Sequence, residues 1–104
     1  VRIIAASTLS SFAEAHPEAR KSLSHWLHVA RASKWASTND VQASFSKAKV
    51  LNGERVRFEI AGGNYRMIVA FDFGRQIAFI KFLGTHADYD RIDALTVAQF
   101  QGAR

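Results

Sequence analysis

The chain has 104 residues, 48% of them hydrophobic, with 14 Lys and Arg against nine Asp and Glu for a net charge of +5, and no cysteine. That length holds one core, so residues 1–104 are read as a single domain. The lack of cysteine excludes disulfides and thiolate metal sites, and no apolar run approaches the roughly 20 residues of a membrane-spanning helix.

In chain order, Arg2-Ile-Ile-Ala5 reads as a short opening strand. Ser7 or Thr8 is placed to N-cap a first helix with Leu9 and Phe12 on its apolar side. His16-Pro17 breaks that helix, because the residue before proline is pushed out of helical space and proline suits a new first turn. A second helix is expected over about 17–32, with Leu23, Trp26, Leu27 and Ala30 at the 3/4 spacing of a core-facing stripe. Ser37 to Asp40 is a turn and cap cluster, followed by one or two helical turns up to Phe45.

From there the period changes from 3.6 to 2. Lys49 to Leu51 is a short strand and Asn52-Gly53 a tight turn. Arg55 to Ile60 alternates strictly, as a half-buried strand does. Gly62-Gly63 and Gly74-Arg75 punctuate two further strands, Tyr65 to Phe71 and Gln76 to Leu83. Residues 94–104 suggest a short terminal helix. The fold class is α+β: a strand and a helical hairpin packed on a twisted antiparallel sheet.

With two-residue hairpin loops, Ile60 falls opposite Tyr65, Glu59 opposite Arg66, Arg57 opposite Ile68, and Ile68 opposite Lys81. Opposed residues share a face. Val56, Phe58, Ile60, Tyr65, Met67, Val69, Phe71, Ala78, Ile80 and Phe82 then form a core face under the helices. The other face collects Arg55, Arg57, Glu59, Arg66 and Lys81, with Ile68, Ala70, Ile77 and Phe79. A basic surface attracts polyanions, most often RNA or DNA.

This face leads into Gly84 and a segment dense in chemistry: His86, Asp88, Tyr89, Asp90 and Arg91. Cations beside His and Tyr suit RNA cleavage by the RNA's own 2′-hydroxyl. That reaction needs a base, an acid, and positive charge on the phosphorane, with Arg clamping phosphate oxygens. No metal or other cofactor is expected, since a metal nuclease wants convergent carboxylates. The same residues also have plain structural uses. His86 could cap the strand end, Tyr89 could be a core aromatic, and Asp88, Asp90 and Arg91 could form a solvated helix start. Arg66 and Glu59 could be only a cross-strand ion pair. His16, His25 and His28 are read as non-catalytic, and Trp26 and Trp35 as core residues.

Gly84-Thr-His-Ala-Asp-Tyr-Asp-Arg-Ile-Asp93 closely resembles the C-terminal signature of the HigB family of toxins, within the RelE/ParE superfamily of type II toxin–antitoxin systems. The opening Arg2-Ile-Ile, Trp35 before the Asp40 turn, and Phe58 to Arg66 with its glycine turn resemble the family as well. The resemblance implies an mRNA interferase acting in the cytoplasm on ribosome-bound messages. Its partner would be a helix-turn-helix antitoxin, with operator DNA reached only through that antitoxin. Carried over by position, His86 and Tyr89 would transfer protons, Asp90 would orient them, and Arg66 and Lys81 would contact the scissile phosphate. Arg55, Arg57 and Arg91 would bind RNA. Glu59 departs from the family, where Asn is frequent; it would repel phosphate unless paired with Arg66, or it could serve as a base. Two other readings share the scaffold: a ParE-like gyrase inhibitor without nuclease activity, and a non-catalytic RNA-binding module.

Overall fold

The structure, a computed structural model, describes residues 1–99. Among them the order is β1 (Arg2–Ile4), α1 (Ala6–Ala15), a 3-10 turn at Pro17–Ala19, α2 (Arg20–Ala32) and α3 (Thr38–Ser44). Then come β2 (Lys49–Val50), β3 (Arg55–Ile60), β4 (Tyr65–Asp72), β5 (Ile77–Thr85) and α4 (His86–Tyr89). The strands form one open sheet in the order β1-β5-β4-β3-β2. β1 lies parallel to β5 and the other pairs are antiparallel, so the sheet is mixed rather than wholly antiparallel.

The helical hairpin forms as its apolar spacing requires. Leu9 and Ala13 of α1 and Leu23, Trp26 and Ala30 of α2 are buried, against Val56, Phe58, Met67, Val69, Ala78 and Ile80 of the sheet. Phe58 is the aromatic hub, with edge-on contacts to Trp26 at 5.4 Å and to Phe45 at 5.3 Å between ring centroids. Full burial of such a side chain stabilises by roughly 1.5–3 kcal/mol. Trp35 packs edge-on against Phe71, and its indole N–H donates to the Ser44 hydroxyl at 3.0 Å.

Three local expectations change. Neither Ser7 nor Thr8 caps α1; the helix begins at Ala6 with Ala5 as the cap residue and no side-chain cap bond. The second helix splits into the 3-10 turn at Pro17 and α2. Residues 94–99 form turns rather than a helix, and the rest of that predicted helix, 100–104, lies outside the described residues.

The β3–β4 register is the expected one, with Ile60 opposite Tyr65, Glu59 opposite Arg66 and Arg57 opposite Ile68. The loop, however, has four residues, and Ala61, Gly62 and Gly63 take φ of 55°, 68° and 98°. Glycine at two of these three positions spares the chain the steric cost of left-handed backbone. The β4–β5 register starts as expected and then slips. Val69 faces Ile80, but a bulge follows, and Ile68 faces Phe82 instead of Lys81. The extra residue reverses the alternation beyond it. Phe82 therefore leaves the core face for the opposite face, and Leu83 takes its place in the core.

Candidate functional site

Beyond the bulge, Glu59, Arg66 and Gly84 form one row across β3, β4 and β5. Gly84 is required here by close approach. A Cβ on it would lie 2.9 Å from the Phe82 ring tip and 3.2 Å from the Asp88 side chain. The bare backbone lets α4 fold down onto the sheet. Thr85 then starts the helix: its hydroxyl accepts from Asp88 N–H at 3.1 Å, while the Asp88 carboxylate accepts from Thr85 N–H at 3.4 Å. This reciprocal cap satisfies two N–H groups that a helix start otherwise leaves open.

The cap aims Tyr89 back over the row. Its ring packs edge-on against Phe82 at 6.1 Å and lies 4.8 Å from the Arg66 guanidinium carbon and 5.5 Å from that of Arg57. Two cations thus stand over one aromatic ring, a favourable electrostatic contact of roughly 0.5–2 kcal/mol each. Arg57 also donates to the Tyr89 hydroxyl at 3.4 Å. Glu59 sits between the guanidiniums, its Oε2 3.3 Å from Arg66 Nε and 3.7 Å from Arg57 Nε. These are ion-pair distances without hydrogen-bond alignment. Among the described residues, both Nε–H groups and that oxygen are buried with no hydrogen-bond partner.

The model of the HigB toxin family, described as the RelE-like toxic component of a toxin–antitoxin system, matches residues 19–92. The chain belongs to this family. The matched span runs from the start of α2 through α4 and so contains the whole Arg57–Glu59–Arg66–Tyr89 cluster. No match is found among curated proteins. As the toxin of such a system it has an antitoxin partner.

Within this toxin the sequence-predicted site residues divide. Arg57, Arg66 and Tyr89 converge. His86 opens α4 three residues before Tyr89, a spacing that puts both on one side of the turn, and its side chain is exposed. Asp90 ends the same helix and Arg91 follows it, both exposed. Lys81 is not opposite Ile68 beside this cluster. As the extra residue of the bulge it points along the same face toward Phe79, with its ammonium 5.4 Å from the centroid of that ring.

Arg55 departs furthest from its predicted role as an RNA ligand. It is only 8% exposed, and its Nη1 donates to the carbonyls of Ala94 at 3.0 Å and Val97 at 2.9 Å. It pins the segment after α4 across the sheet instead of facing solvent. Gln99 continues that strap along β5 beyond the end of β1. Its N–H donates to Lys81 C=O at 2.8 Å, and its side-chain oxygen accepts from Leu83 N–H at 2.9 Å. The Thr85-x-x-Asp88 spacing was an available sequence signal for the cap; nothing local signalled the role of Gln99.

Among the described residues no helix is long and apolar enough to cross a membrane, and no three His, Asp or Glu side chains converge as a group that could hold a metal ion.

Proposed function

We propose that this toxin is an endoribonuclease, an mRNA interferase that cuts messages on the ribosome through the 2′-hydroxyl of the RNA itself. The observation that carries the reading is the convergence of the guanidinium donors of Arg57 and Arg66, both partly exposed, on the Tyr89 ring, with Arg57 donating to its hydroxyl. Donors held this way match a phosphate whose negative charge grows in the transition state.

In this reading the 2′-oxygen attacks phosphorus, the O2′–P bond forms and the P–O5′ bond breaks. The products are a 2′,3′-cyclic phosphate and a free 5′-hydroxyl. His86 and Tyr89 handle the two protons, one taken from the 2′-hydroxyl and one given to the departing 5′-oxygen. Asp90 orients them, and Arg57 and Arg66 hold the non-bridging oxygens. Arg91, exposed beside α4, contacts the flanking backbone, and Lys81 reaches a neighbouring phosphate rather than the scissile one. The reacting groups lie on an open face that leaves the RNA path to be set elsewhere, which favours a substrate presented by the ribosome. The single domain acts in the cytoplasm. Its partner is a helix-turn-helix antitoxin, through which alone operator DNA is met.

The test is induced expression in a bacterial host with mapping of new 5′ ends on mRNA, wild type beside His86→Ala and Arg66→Ala. Growth arrest with discrete cuts inside translated frames, lost in both variants while antitoxin binding persists, is the expected result. Arrest without cuts would replace this reading with a gyrase-type poison. Binding of RNA with neither cuts nor arrest would leave a non-catalytic module.

A further inference from the structure

The basic face carries a concavity, of about 460 Å³, at the end away from Tyr89. Its walls include Glu54, Arg55, Ala70, Asp72, Phe79 and Lys81. Arg55, Ala70 and Phe79 form one row across β3, β4 and β5. On β3 that row is two residues from Arg57, or about 7 Å along the strand. This offset is close to the step between successive phosphates in an extended single strand. An RNA whose phosphate sits at Arg57 and Arg66 would therefore bring a neighbouring nucleotide over the concavity.

The lining fits a base better than another phosphate. Phe79 is half-buried and offers ring surface at the floor, where base–aromatic stacking is effective with any base. Carboxylates stand at the rim, where they would repel an anion. Asp72 is partly committed, since its Oδ1 accepts from Arg75 N–H at 3.1 Å. Glu54 is exposed, and its carboxylate makes no hydrogen bond or ion pair among the described residues. Its backbone is nevertheless fixed: Phe71 N–H donates to its carbonyl at 2.8 Å, and its own N–H donates to Asn52 Oδ1 at 2.9 Å. Lys81 and Arg55 add the positive charge that disfavours a cationic peptide side chain.

We infer that the Glu54–Phe79–Lys81 concavity is a nucleobase subsite that prefers bases carrying an exocyclic amino group. Phe79 stacks the base, Glu54 accepts from its amino group as carboxylates do from cytosine N4, and Lys81 leaves the ring to meet the adjoining phosphate. Uracil has no amino group to offer. The inference rests on the RNA-cleaving reading for its substrate class, and its test is a binding measurement that requires no cleavage.

The probes are fluorescent 2′-O-methyl hexamers of cytidine, adenosine and uridine, which lack the attacking hydroxyl, titrated with purified toxin. The cytidine and adenosine hexamers should bind about fivefold tighter than uridine. Glu54→Ala should erase that difference. Phe79→Ala should weaken all three by about tenfold while thermal unfolding and antitoxin binding stay intact. Equal affinity for the three wild-type titrations, or unchanged binding by Phe79→Ala, overturns the subsite. Base-selective binding by a protein that cuts no message would leave the subsite standing and remove the nuclease reading. Cutting by a protein that binds the three hexamers equally would do the reverse.

Discussion

Glu59 Oε2 lies 3.3 Å from Arg66 Nε, an acceptor and a donor at contact distance that are not aligned to bond. In the proposed reading the carboxylate is a resident anion where the phosphate would bind. It reduces repulsion between Arg57 and Arg66 in the free protein, and any phosphate bound there must share the same guanidiniums. Glu59→Gln keeps the shape and removes the charge. It should tighten binding of a non-cleavable RNA and steepen the fall of log affinity with log salt by about 0.7, as for one further single-strand phosphate neutralised. A titration series over salt concentration measures both. Identical slopes would show that Glu59 does not set the anion affinity of the face.

Tyr89 combines two roles that substitution separates. Tyr89→Phe keeps the ring beside Arg66 and Arg57 but removes the hydroxyl that accepts from Arg57. If that hydroxyl moves a proton, single-turnover cleavage on ribosomes should drop by about 10²-fold or more, with RNA affinity almost unchanged. Tyr89→Ala should lose affinity as well, because the guanidiniums lose the ring that positions them. Cleavage at the wild-type rate by Tyr89→Phe would restrict Tyr89 to packing.

Much of this face was legible in the sequence. Strict alternation from Arg55 to Ile60 and the glycine turn set the β3–β4 register, and with it the Glu59–Arg66 pairing. The bulge was not, because Ile80-Lys-Phe-Leu83 alternates plausibly on either face until strand pairing decides. The adjacent apolar pair Phe82-Leu83 gave no help, since the two take opposite faces with or without the bulge. The burial of Arg55 was illegible for a different reason. Its carbonyl partners stand 39 and 42 residues away, and no local pattern reports such a contact. β1 gave no sign of running parallel to β5, because a three-residue strand carries no direction in its composition.

Gly84 is a sharp test of how α4 is seated. In Gly84→Ala the new Cβ would meet the Phe82 ring tip at 2.9 Å, closer than side chains tolerate. Overpacking of this kind costs about 1–3 kcal/mol, and relief by lifting α4 would carry Tyr89 off the arginines. Thermal unfolding should show the loss, with RNA affinity falling in parallel. Gly53→Ala, whose Cβ would meet nothing within 4 Å, is the control. It should stay within about 0.5 kcal/mol of wild type.

A second titratable cluster governs stability against pH. The Tyr65 hydroxyl donates to the Glu18 carboxylate and lies 3.2 Å from His16 Nδ1, tying the start of the second helical segment to β4. The hydrogen bond from Tyr65, more than the Glu18 backbone N–H, holds the Glu18 carboxyl below its ordinary range. The same bond, with burial and then the Glu18 charge, raises the Tyr65 phenol. A depressed carboxyl adds stability that is present above its unfolded range and lost as pH falls through the folded value. A raised phenol adds stability that is present below its unfolded value and lost as pH rises through the folded one. Tyr65→Phe should therefore narrow its deficit relative to wild type at both acid and alkaline ends. Melting temperature against pH reads this directly, and a deficit constant across the acid limb would remove Glu18 from the account.

Arg55 links the strap to the site it borders. Replacing it by Met keeps most of the buried volume but leaves the Ala94 and Val97 carbonyls without their donor. An unsatisfied buried group costs about 1–3 kcal/mol, and among the described residues the strap's other hydrogen bonds to the sheet are those of Gln99. Amide hydrogen exchange should accelerate at Gln99 and Leu83, whose N–H groups bond to Lys81 C=O and to the Gln99 side chain. Amides of the β3–β4 ladder, at the centre of the sheet, should keep their protection. A uniform rise in exchange across the sheet would mean that Arg55 supports the whole fold. Unchanged exchange at Gln99 would mean that the strap is held without it.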